Sequence, residues 1–234
     1  MIIRCPQFLC NCLHNSQCFA PCEIGLYKAE ALALRFSGAW GLNIAAYTQP
    51  FDASRLQVKG YYYSHNQPLT ILLGAVDNAN ARRSIAATLE NNDRRAPSKW
   101  WLDTGNSKSS CQVLIGTHNR IEELREAFTL SCNALPSPVL QHPELLEPLP
   151  EELLGTGGKM SCAELVAANA QSMTINKLAS SLAEDMLIRL LTGKLTYFAA
   201  YANQESGTAR AHYTNPCEVA AVIGKTQAFF TSCR

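Results

Sequence analysis

No stretch of this sequence stays apolar over the roughly 18 residues that a membrane-crossing helix needs. No sign of charge dominates either: 20 Lys and Arg face 19 Asp and Glu, for a net charge of +1. That balance removes the electrostatic case for nucleic acid or for an anionic membrane surface as partner. A secretory leader is not expected, because Met1 to Leu13 holds one Arg and an early Pro6 but no clean apolar core. The chain is therefore expected in the cytoplasm, with its thiols reduced. Glycine is missing from the start, and Gly25 is the first in the chain. Charged residues are sparse at 17%, but 47% hydrophobic residues over 234 positions suffice for a globular core.

Cysteine is not scarce. Five of the ten, Cys5, Cys10, Cys12, Cys18 and Cys22, fall in the opening segment. Thiolates bind zinc, but paired zinc knuckles space their cysteines two to four residues apart, as a rule of about that size. A single residue separates Cys10 from Cys12, and Cys18 and Cys22 have no second pair. Ordinary thiols are the simpler reading, with a zinc module as the minor alternative. Residues 1–20 show neither helical nor strand period and are expected to be an irregular, cysteine-rich lead-in.

Beyond it, Ile24 to Trp40 has the apolar spacing of a helix, closed by Gly38 and Gly41. Leu42 to Tyr47 reads as a short strand. Leu69 to Val76 is a continuous apolar run, the pattern of a strand buried on both faces of a parallel sheet. It ends at Asp77-Asn78, and a helix is expected from Ala79 to Glu90. A polar dipeptide between a strand's carboxyl end and a helix is a usual ligand position in open α/β sheets. Lys99 to Asp103 and Cys111 to Gly116 read as two further strands. The Pro- and Gly-rich stretch 131–160 is expected to be a flexible connector. Ser161 to Leu191 reads as one helix or two, and Tyr197 to Ala202 as a closing strand.

The order of these pieces carries a resemblance. Lys28 in IGLYKAE, Asp77-Asn78 in LLGAVDNANARR, then KWWLDTGN, CQVLIG and SCAELVAANAQSMTIN, resemble the ThiF/MoeB/HesA family of ubiquitin-activating-enzyme-like adenylating proteins, most of all the PRTRC system ThiF group. The resemblance covers about residues 15–205. It implies an α/β, Rossmann-like, mostly parallel sheet flanked by helices, with a helical or mixed carboxyl-terminal extension. Residues 21–130 would be a partial adenylation domain and 161–234 the helical remainder of the same domain. It further implies ATP and magnesium as cofactors, a ubiquitin-like or sulfur-carrier protein as partner, and often a homodimer. The reaction implied is adenylation of the carrier's C-terminal carboxylate.

The site residues follow from the same match. Lys28 corresponds to a lysine that offsets phosphate charge, and its plainer reading is an exposed helix lysine. Asp77 corresponds to the aspartate that holds magnesium, since a hard cation takes one or two carboxylates plus phosphate oxygens. Its plainer reading is a helix N-cap. Asn78 would support it by hydrogen bonding. Arg82 completes a DNxxxR pattern as a nucleotide contact, or else makes a solvated charge or an ion pair. Cys162, which follows the connector and opens a helix in SCAE, is the candidate nucleophile for a thioester, because a helix N-terminus favours a thiolate. A small residue packed at a helix start is the plainer reading.

Two features depart from the pattern. Nothing before residue 15 resembles the family's Gly-rich phosphate loop, and Ser16 stands where an ATP-touching arginine belongs. The chain therefore reads as amino-terminally truncated, and a catalytically inactive relative that keeps only partner binding is the alternative. Gly155 to Ser161 imitates a phosphate loop, but Met160 occupies the place of its Ser or Thr and Leu153 that of its first Gly.

Overall fold

The computed structural model describes residues 2–4, 19–56, 69–90, 92, 98–124, 134–148 and 173–231. The chain forms two compact units. The first comprises Met1–Asp52 with Thr156–Met173, and the second Ala53–Gly155 with Thr174–Arg234. The division falls inside the stretch 21–130 that was expected to be one domain.

In the first unit, strand β1 (Ile2–Arg4) pairs in parallel with β2 (Ala45–Tyr47). The lead-in therefore carries a strand, too short to show a period. Helix α1 (Lys28–Trp40) lies between them in the chain. Ala29 and Ala33 are buried on one face, and Ala31 is buried on another, where it packs against Phe19. It ends where Gly41 adopts φ +63° and donates its N–H to the Ser37 carbonyl, a left-handed cap that glycine takes without strain. Ahead of it, the Glu23 carboxylate accepts both from the Arg35 guanidinium and from the Ala20 N–H.

The second unit is built on a five-stranded sheet in the order β3 (Thr70–Gly74), β4 (Lys99–Asn106), β5 (Ser110–Gly116), β6 (Tyr197–Asn203), β7 (Thr208–Tyr213). The fold is α/β, as expected. The sheet is mixed: β3 and β4 run parallel, and the other three pairs are antiparallel. Strand β3 lies at one end of this sheet, and Leu73 is 59% exposed where burial on both faces was expected. Strand β6 does not close the sheet, because β7 lies beyond it. Helix α2 (Ala79–Ala86) follows β3, and the single-turn α3 (Ile121–Leu124) follows β5.

Residues 134–148 are no free connector. Ala134 and Leu135 are fully buried, α4 (Pro138–Gln141) starts on a Ser137 cap, and Leu135 accepts the N–H groups of Thr117 and His118 at 3.0 and 3.2 Å. Gln141 donates through Nε2 to the carbonyls of Ile115 and Pro136. Helix α5 (Met173–Leu191), α6 (Pro216–Val222) and α7 (Ala228–Thr231) complete the unit. Its core joins Leu102, Val113, Leu114, Ile115 and Phe198 of the sheet to Leu135, Met186 and Val219.

Candidate functional site

The polar dipeptide follows β3 as the sequence suggested. Asn78 is the N-cap of α2: its backbone is extended, and its Oδ1 accepts the Ala81 N–H at 2.8 Å. This satisfies one of the orphan donors of the first turn. The amide nitrogen of Asn78 then donates to Asp77 Oδ1 at 3.2 Å. The cap is thus Asn78, not Asp77, and Asn78 also orients the Asp77 side chain through this bond. Asp77 itself is exposed.

Arg82 lies one turn along α2 and is buried. Its Nε donates to Asp103 Oδ2 at 3.2 Å, and its Nη2 donates to the Val76 carbonyl at 2.7 Å. Of the roles open to it, the structure realises the ion pair. Asp103 was not anticipated as part of the site. It is fully buried, at the end of the apolar run of β4. Sheet register sets it opposite Gly74. A Cβ at Gly74 would lie 2.5 Å from Asp103 Oδ1 and 2.8 Å from Trp101 Nε1, so the carboxylate occupies space that only glycine leaves open. Asp103 Oδ1 and Trp101 Nε1 have no hydrogen-bond partner. The indole N–H stands near enough to favour the ionised acid, but outside hydrogen-bond geometry. Burial pushes the Asp103 carboxyl up to about 6, against the opposing pull of the Arg82 charge.

Lys28 belongs to the first unit, where it opens α1 and is 8% exposed. The exposed-lysine reading therefore does not hold. A cation at a helix N-terminus faces the positive end of the backbone dipoles, an unfavourable place for it. Cys162 lies outside the described residues. Of the other thiols, Cys111 is buried in β5 and its pKa is raised by burial, which makes it a poor nucleophile, while Cys22 and Cys217 are exposed.

Among the described residues, no group of three or more His, Cys, Asp or Glu is arranged to hold a metal ion. A metal held by protein alone does not fit there. One exposed carboxylate, oriented by an amide, does fit a magnesium ion whose remaining ligands are phosphate oxygens and water. No helix among the described residues is long and apolar enough to cross a membrane.

No protein-family model matches the sequence, and no curated protein matches it. Solved structures do share its fold. MccB of E. coli, crystallised with succinimide, superposes with a TM-score of 0.51 at 11% identity, over 92% of this chain and 56% of that one. Selenomethionine PaaA gives a TM-score of 0.50 at 12% identity, over 84% of this chain and 58% of that one. The chain thus spans a little over half the length of these two structures. At such identities the likeness is one of architecture: the chain shares the α/β fold of these two structures.

Proposed function

We propose that the chain is a ThiF-like adenylating protein, which activates the C-terminal carboxylate of a ubiquitin-like or sulfur-carrier protein with ATP. The observation that carries this reading is the turn after β3, where an exposed Asp77 is held by Asn78, itself fixed as the cap of α2. That gives a carboxylate of set orientation beside the N-terminus of a helix, a place that favours anionic ligands.

In this reading Asp77 would hold Mg²⁺ jointly with the triphosphate. The ion would supply charge neutralisation on the phosphates. Asn78 keeps the Asp77 carboxylate in one orientation, so little ordering remains to be done when nucleotide arrives. Arg82 is proposed to favour phosphate charge from behind the turn. The carrier's carboxylate would attack the α-phosphorus, forming the mixed anhydride and releasing pyrophosphate. Cys162 is the proposed acceptor of the acyl group as a thioester, by attack of its thiolate on the anhydride carbonyl with loss of AMP. A homodimer is proposed from the resemblance alone.

The test is ATP–pyrophosphate exchange in the full chain, with a ubiquitin-like carrier ending in a free carboxylate. Exchange should require both magnesium and the carrier. Folded protein that shows no exchange with any such carrier would remove the enzymatic reading and leave the partner-binding one.

A further inference from the structure

We propose that Asp103 is a positioning residue for the Asp77 turn: acting through the Arg82 guanidinium on the Val76 carbonyl, its buried carboxylate sets the path of residues 76–78. Its functional meaning rests on the adenylation reading above, but the geometric part does not.

The turn is tied at two places. At its start, Arg82 Nη2 holds the Val76 carbonyl at 2.7 Å. At its end, Asn78 caps α2 and holds Asp77. The second tie is local, within four residues. The first is fixed only because Arg82 Nε is gripped 3.2 Å from Asp103 Oδ2, on a strand that is 21 residues further along the chain. Arg82 suits this task because its planar fork can serve two acceptors in one geometry, which a lysine ammonium does not reproduce.

Stability alone is a weak reason for the arrangement. A carboxylate in an apolar sheet carries a desolvation cost that one ion pair offsets only in part, and Asp103 Oδ1 is left without a partner. An apolar pair of similar volume would serve a core as well or better. Gly74 lacks a side chain where a Cβ would displace the carboxylate, so the slot for Asp103 has three contributors: Gly74, Trp101 and Arg82. What the slot provides is direction, a fixed charge that aims a guanidinium at one carbonyl.

The experiment is amide hydrogen exchange on the full chain without nucleotide, followed by pyrophosphate exchange at varied magnesium. Asp103→Asn keeps the shape and removes the charge. It should speed exchange of the Ala81 and Arg82 amides, both bonded to Asn78, by about tenfold or more, the size expected for loss of one charged hydrogen bond. Amides shared by β5 and β6 should stay within about twofold of wild type, as expected for an opening confined to the turn. Arg82→Lys should give an intermediate effect. Gly74→Ala keeps every charge yet crowds the carboxylate, and it should reproduce the Asp103→Asn pattern, so the question stays answerable if one variant does not fold. In the enzymatic assay, Asp103→Asn should raise the magnesium concentration needed for half-maximal rate, with the carrier requirement unchanged. A folded Asp103→Asn or Gly74→Ala variant with wild-type exchange in the turn would overturn the proposal. Should the turn loosen while the magnesium requirement stays put, positioning of a magnesium ligand is overturned and only the geometric tie survives. If Asp77→Asn leaves the enzyme unaffected, the adenylation site is wrong, and the amide exchange still decides the tie by itself.

Discussion

Gly116→Ala is expected to cost the second unit about 3 kcal/mol or more, the upper range of overpacking penalties. The last residue of β5 lies directly under the 134–137 strap. A Cβ there would come within 1.9 Å of the Pro136 carbonyl oxygen, 2.4 Å of its carbon and 2.7 Å of Ser137 Cα. All three are backbone atoms, so no side chain can swing aside. The strap would have to lift, and lifting it strains the bonds from Thr117 and His118 to Leu135, from Ser137 to His118, and from Gln141 to Ile115. The total stability of a domain is only about 5–15 kcal/mol, so this is a large share of it. Thermal unfolding of the variant checks it. Gly105→Ala is the control: its Cβ would meet only the Gln112 side chain at 3.4 Å, and its melting temperature should stay close to wild type. Equal melting temperatures for the two variants would show that the strap yields easily.

Asp77→Asn is expected to lower magnesium-dependent pyrophosphate exchange by about 100-fold or more, as loss of several kcal/mol of metal-borne charge stabilisation implies. The substitution is close to isosteric, and its amide oxygen can still accept from Asn78. Asn78 also goes on capping α2, because the cap uses its own Oδ1. The fold should therefore be intact by circular dichroism and melting. An amide is a much poorer ligand for a hard divalent cation than a carboxylate. Substitution with retained exchange would mean that Asp77 is only a surface acid beside a cap.

The elements that place the site were legible because their signals are local. The apolar run before Asp77, the polar dipeptide and the helical pattern after it each sit within a dozen residues, and β3 and α2 fall where they were expected. Two things were not local. Strand β7 (TARAHY) alternates over only six positions, with two small alanines and Tyr213 as its apolar members, and is mostly exposed, so its own signal is weak. The partnership of Asp103 with Arg82 depends on β3–β4 register, which pairs Gly74 with Asp103 across 29 positions of chain. Prolines hid the strap: Pro136, Pro138 and Pro143 suggested a connector, although Ser137 followed by Pro138 is a regular helix start, a cap and then a residue whose missing N–H costs nothing. Lys28 was misjudged as exposed in its plainer reading because α1 buries its first turn, Lys28 included.

The central claim is that the Asp77 turn binds nucleotide through magnesium. Calorimetric titration of ATP into the full chain, with Mg²⁺ and then with excess EDTA, in wild type and in Asp77→Asn, tests it most directly. The account predicts one saturable site in wild type, weakened about tenfold or more by EDTA, the loss expected when one strong metal contact is gone, and weakened alike by the substitution. Binding of equal strength in all conditions, or none by folded wild-type protein, would contradict it.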